Sequence, residues 1–196
     1  MAAGLTARPL DHHRCAVHSR LAVIEPLAVV IGDPVSGVSV PLWTPWPVPA
    51  DWVFGGLAYA GDAGSDASAV TCWSGPDQFG DRAEMLLISE EAGAGLGGYF
   101  AGLPVTYPGP GVGEGPPHAR FTVEDRPVPL WSVDGVAPDR AVYAGEAAGR
   151  WLWVVVHPAE AGALVVEPMQ FVDARQLGAE LTVLPLGELS PRLVVD

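Results

Sequence analysis

Apolar positions run along this chain in short bursts, each cut off by glycine, proline or an acidic side chain; the longest are 27–31 and 151–156. Bursts of that length fit strands better than helices, which need ten or more residues to show an apolar face. The pattern predicts strands at 28–31, 39–43, 52–60, 67–73, 84–89, 118–123, 128–133, 141–147, 150–157 and 163–167. Residues 61–66 and the dipeptide Ala148-Gly149 supply turn chemistry between neighbouring strands. Only 172–181 has the spacing of a short helix, with Asp173 placed to cap it. Residues 104–117 interleave five prolines with four glycines and read as a loop or crossover near the middle of the chain.

The order of these elements contains a weak repeat. Val40-Pro41-Leu42-Trp43 recurs as Val128-Pro129-Leu130-Trp131, and Tyr59-Ala60-Gly61-Asp62-Ala63 recurs as Tyr143-Ala144-Gly145-Glu146-Ala147. The expectation is an α+β fold: mostly antiparallel strands in two pseudo-repeated meander halves, about 39–103 and 118–181, with one or two short helices. Residues 104–117 would cross between the halves. Residues 1–20 form a polar tail, and 21–196 form a single domain. One half alone would leave an apolar sheet face in water, so the two must cover each other.

The formal charge is −13, carried by 23 acids against ten arginines and no lysine. That balance repels phosphate backbones and anionic lipid, so neither nucleic acid nor membrane is an expected partner. No apolar run approaches the length of a membrane span, and the first ten residues lack the pattern of a secretory signal. Two cysteines do not make a disulfide framework. A cytoplasmic location is expected.

Few motifs carry chemistry. Cys15-x2-His18, with His12 or His13 nearby, has zinc-ligand spacing, but a structural site needs four ligands and the fourth is missing. Gly93-Ala94-Gly95-Leu96-Gly97-Gly98 matches G-x-G-x-x-G, yet Pro104 cuts short any following helix and no βαβ unit follows, so the motif reads as a turn. Cys72, in mid-strand beside Trp73, reads as a core residue. His157 ends an apolar strand before Pro158 and reads as a strand-end residue. His118 and Arg120 alternate onto one strand face and make a candidate anion-binding pair. Asp62 and Glu146 occupy the two matched turns. Trp43, Trp46 and Trp52 flank the proline-rich 45–49 segment, where aromatics serve either as core anchors or as a docking face for a partner.

The motif order is more specific than any single motif. Cys-x2-His at Cys15, Val-Pro-Leu-Trp-x-Pro-Trp-Pro at Val40, Tyr-Ala-Gly-Asp at Tyr59, Gly-x-Gly-Leu-Gly at Gly93, Pro-Pro-His-Ala at Pro116, Tyr-Ala-Gly-Glu-Ala-x-Gly-x-Trp-Leu-Trp at Tyr143 and Leu-Ser-Pro-Arg-Leu at Leu189 together span nearly the whole chain. In that order they resemble an uncharacterised family of high-GC Gram-positive bacteria. The resemblance implies a Cys-x2-Cys knuckle ahead of the Cys-x2-His. That knuckle is absent here, so 1–20 is expected to be a zinc-ribbon remnant, through loss of the metal or through a start further upstream. Zinc is expected only if the N-terminus is longer, and no other cofactor is expected. Some relatives carry a phosphotransacetylase-type name, but no residue here supplies that chemistry.

The expected function is a binding or regulatory module for an unknown protein or a small anionic ligand, with His118, Arg120, Asp62 and Glu146 as ligand candidates. One alternative is an enzyme of acyl or phosphoryl transfer. Another is a subunit docking through Trp43, Trp46 and Trp52. Cys15, His18 and His12 are the metal candidates.

Overall fold

A computed structural model describes residues 21–31, 38–61 and 67–194. Among these residues, ten strands form one sheet: β1 (Ala22–Ile24), β2 (Trp43–Pro45), β3 (Val53–Ala60), β4 (Ser68–Pro76), β5 (Arg82–Glu90), β6 (Ala119–Val123), β7 (Arg126–Ser132), β8 (Ala141–Ala147), β9 (Arg150–His157) and β10 (Gln170–Asp173). Two short helices, α1 (Pro26–Ile31) and α2 (Leu96–Ala101), complete the regular structure with several 3-10 turns. The strands lie in the order β1-β3-β4-β5-β9-β8-β7-β6-β10-β2, and every pairing is antiparallel except β10 with β6. The expected mostly antiparallel architecture is therefore present. No helix among the described residues is long and apolar enough to cross a membrane.

The sheet curls because its middle ladder is interrupted. Pro127 and Pro129 of β7 have no N–H to donate. The β7–β8 ladder holds only at Trp131↔Ala144 and Ser132↔Tyr143, while β7 pairs with β6 along its other half. Past that point the sheet folds back over itself. Its far end, β2, lies across β4, where the Thr71 hydroxyl donates to the Trp43 carbonyl at 2.6 Å.

Strand alternation then sorts the side chains into two cores. Phe54, Leu57, Trp73, Met85, Leu87, Leu152, Val154 and Val156 point inward, against Trp43, Phe121, Leu130 and Phe171 from the folded-back part. Phe121 and Phe171 meet edge to face at 4.8 Å. Ala58, Val70, Cys72, Leu86, Ile88, Trp153 and Val155 point outward, where α2 and Leu193 cover them. Strands β5 and β9 are buried on both faces, which explains their near-continuous apolar sequence.

Several expected elements differ. Residues 28–31 lie in α1, which Pro26 opens at its first position, where a missing N–H costs nothing. Residues 39–42 precede β2 rather than forming a strand. The 163–167 strand is instead a 3-10 helix, Ala159–Val166, in which Gly162 sits against Ala141 and accepts the Tyr143 hydroxyl on its carbonyl. The 172–181 helix is replaced by β10 and two 3-10 turns. Asp173 does act as a cap, accepting the Arg175 N–H at 3.1 Å.

The doubled architecture is not confirmed. Four antiparallel steps make β3 parallel to β8, and both Tyr59 and Tyr143 pack on the inner core. Yet the chain steps from β3 to β4 in one direction across the sheet and from β8 to β9 in the opposite one. No rotation that preserves strand direction and face reverses that step. The second half also lacks a strand matching β5.

Candidate functional site

The cavity that stands out is a cleft of about 570 Å³ at one end of β3, β4 and β5. One wall comes from the sheet: Asp51, Val53, Ser74, Gly75, Pro76, Arg82 and Glu84. The other comes from Glu188, Leu189, Ser190 and Pro191 of the C-terminal segment. That segment can approach because β3 is irregular at Gly55-Gly56, where its register with β4 shifts. Gly56 adopts φ +108, and a Cβ there would meet Leu189 Cδ1 at 2.8 Å. The Phe54 N–H donates to the Pro185 carbonyl, the Gly187 N–H to the Phe54 carbonyl and the Ser190 N–H to the Gly55 carbonyl, at 2.7, 2.9 and 2.8 Å.

Glu84 joins the two walls. Its carboxylate accepts the Ser190 hydroxyl at 3.1 Å and the Arg192 Nε–H at 2.6 Å. Beneath Ser190 lies Cys72, fully buried, and burial pushes its thiol up to about 12. On the neighbouring strand His157 pairs in register with Glu84 and is 3% exposed. Burial, reinforced by Arg192 and Arg140, pushes its imidazole down to about 4. Its Nδ1 lies 3.7 Å from Asp139 Oδ2. At neutral pH the thiol is protonated and the imidazole neutral, and Glu84 is committed to two partners. The side chains left facing the cleft are Asp51, Ser74, Arg82 and Glu188. Asp51 stands at φ 63, a left-handed conformation that aspartate tolerates better than most residues.

The glycine-rich stretch at 93–98 serves the protein's own carboxylate. Glu90, wholly buried, accepts the Gly97 N–H at 3.0 Å and the Trp153 indole N–H at 2.7 Å, and the Leu96 and Gly95 amides also reach it. A Cβ on Gly97 would lie 2.2 Å from the Trp153 ring, and one on Gly98 1.9 Å from the Val105 carbonyl. These glycines are required for close packing, and the cradle they form is occupied.

The residues singled out from the sequence do not converge on the cleft. His118 and Arg120 are exposed on β6 and its leading residue, and the His118 ring accepts the Ser132 N–H at 3.0 Å. Glu146 is exposed near the β8–β9 hairpin tip. Trp43 and Trp52 are buried at 1% and 4% exposure and anchor the inner core, so of the two expected roles the docking face is corrected for them. Trp46 is half-buried against the same core. Asp62, Cys15, His18 and His12 lie outside the described residues. Among the described residues no group of three or more His, Cys, Asp or Glu is placed to hold a metal ion.

Sequence reasoning missed the cleft because its walls are about a hundred residues apart along the chain. The one local signal was Gly55-Gly56 inside an apolar strand, which marks a bulge or the close approach of another backbone. Residues 6–193 match a family of unknown function (DUF6758), and the chain belongs to that family. No curated protein and no solved structure matches it.

Proposed function

We propose that this family member is a binding module whose ligand enters the cleft between β3–β5 and the C-terminal segment, and that the ligand carries positive charge. The observation that carries the reading is the lining: Asp51 and Glu188 face the opening with one opposing guanidinium, Arg82, while Glu84 is held by Ser190 and Arg192. In a chain of charge −13 the surrounding field favours a cation over the anionic ligand expected from His118 and Arg120.

Binding is favoured over acyl or phosphoryl transfer by the state of the nearby groups. A buried thiol near 12 is not a nucleophile at neutral pH. A Ser190 hydroxyl whose carboxylate partner is already paired with Arg192 has no free base. A cytoplasmic location belongs to the same proposal and is supported by the acidic charge and the free thiol of Cys72.

Thermal melts test it. The wild-type chain and a D51N/E188Q variant are melted with 1,4-diaminobutane and, separately, with inorganic phosphate. The diamine is expected to raise the wild-type melting temperature and leave the variant unmoved. A response to phosphate alone, or an equal diamine response in both proteins, overturns the reading.

A further inference from the structure

We propose that residues 185–194 are a latch: a strap that lifts off the outer face of β3 and β4, carries one wall of the cleft with it and uncovers Cys72, with Glu84 as the catch. Its regulatory meaning rests on the binding reading above; its opening does not.

The strap's attachments are few and of different kinds. Three backbone hydrogen bonds tie it to Phe54 and Gly55. Pro185 and Pro191 have no N–H to add to them. Leu193 is its fully buried apolar anchor, whereas Leu186 and Val194 are 38% and 53% exposed. Leu189 packs partly buried against the same outer core, and the polar hold converges on one side chain, because Glu84 takes Ser190 with one oxygen and Arg192 with the other. By contrast, β5 is zipped to β4 at nine positions and to β9 at seven. A segment held by so few bonds opens locally at far lower cost than the sheet beneath it.

Glu84 is suited to be the catch because it belongs to both structures. It lies on β5, it lines the cleft, and the groups it grips belong to the strap. A cation seated beside it weakens its hold on Arg192 by competing for the same carboxylate, so occupancy of the cleft and closure of the strap are linked. Cys72 is the natural reporter: its sulfur and the Ser190 side chain lie together over Gly55, and it is fully buried while the strap is closed.

The test uses the full-length chain as wild type, E84Q and R192Q. Each protein is labelled with N-ethylmaleimide, and modification of Cys72 is followed by peptide-resolved mass spectrometry beside amide exchange at Leu86 and Val155. Losing the charge-assisted bond is expected to speed Cys72 labelling about tenfold or more in both variants, while in all three proteins the opening that labels Cys72 stays far more frequent than the unfolding that exchanges Leu86 and Val155. R192Q keeps Glu84 in place and serves if E84Q fails to fold. Cys72 opening as rare as the opening that exchanges Leu86 and Val155, in all three proteins, would show that Cys72 is reached only by global unfolding, and would overturn the latch. The binding reading fails separately, by an absent diamine response in the melts, with no bearing on Cys72 labelling.

Discussion

Replacing Glu90 by glutamine isolates the effect of one buried carboxyl on stability. Glu90 has no cation beside it among its hydrogen-bonding partners. Four N–H donors, from Trp153, Gly97, Leu96 and Gly95, favour its charged form, but burial outweighs them and raises its pKa from 4.5 to about 7. The unfolded chain returns the group to its ordinary value. Between pH 4.5 and 7 the folded state therefore holds the proton more tightly than the unfolded one, and this part of the stability falls as pH rises. It is fully present below 4.5 and gone above 7. At ~1.4 kcal/mol per pH unit, the interval corresponds to about 3 kcal/mol as an upper bound. Glutamine does not titrate, and every other ionisable group is common to the two proteins. The assay is urea denaturation of wild type and E90Q at half-unit steps from pH 4 to 8.5. The difference, wild type minus E90Q, is expected to fall by about 2–3 kcal/mol across the interval and to be flat on either side. A flat difference throughout would refute the reasoning. A difference that rises with pH would show that the four donors outweigh burial and hold the carboxyl low.

Two further substitutions test the packing and the surface. Gly97→Ala would place a methyl 2.2 Å from the fully buried Trp153 ring, so urea denaturation is expected to show a loss of about 1–3 kcal/mol. The double variant H118A/R120A removes two exposed side chains and is expected to shift stability by no more than about 0.5 kcal/mol. It should also leave the diamine response of the melts unchanged.

The strands were the most legible part of the sequence. Residues 141–147 and 150–157 form β8 and β9 with the expected bounds, and Ala148 and Gly149 both take the left-handed backbone of a tight hairpin. Here local preference and tertiary packing agree. They disagree at 163–166, an apolar run too short to declare its own state. Contacts of Gly162 with Ala141 and Tyr143 hold it as a 3-10 helix under the sheet. The repeated Val-Pro-Leu-Trp and Tyr-Ala-Gly motifs suggested symmetry, but sequence similarity carries no information on the direction in which a hairpin steps across a sheet. Trp43 and Trp52 illustrate a related limit. Aromatics beside prolines suit a core or a docking face equally, and only the folded-back β2 decides for the core. The cleft was not legible at all, because its chemistry depends on Ser190 and Arg192 meeting Glu84, 106 and 108 positions earlier in the chain.

The most direct test of a cation-binding cleft is a titration of the isotope-labelled full-length chain with 1,4-diaminobutane, followed by amide chemical shifts. Saturable shifts are expected, grouped at Asp51, Ser74, Arg82, Glu188 and Ser190. Shifts spread evenly over the acidic surface, shifts centred on His118 and Arg120, or none at all would contradict it.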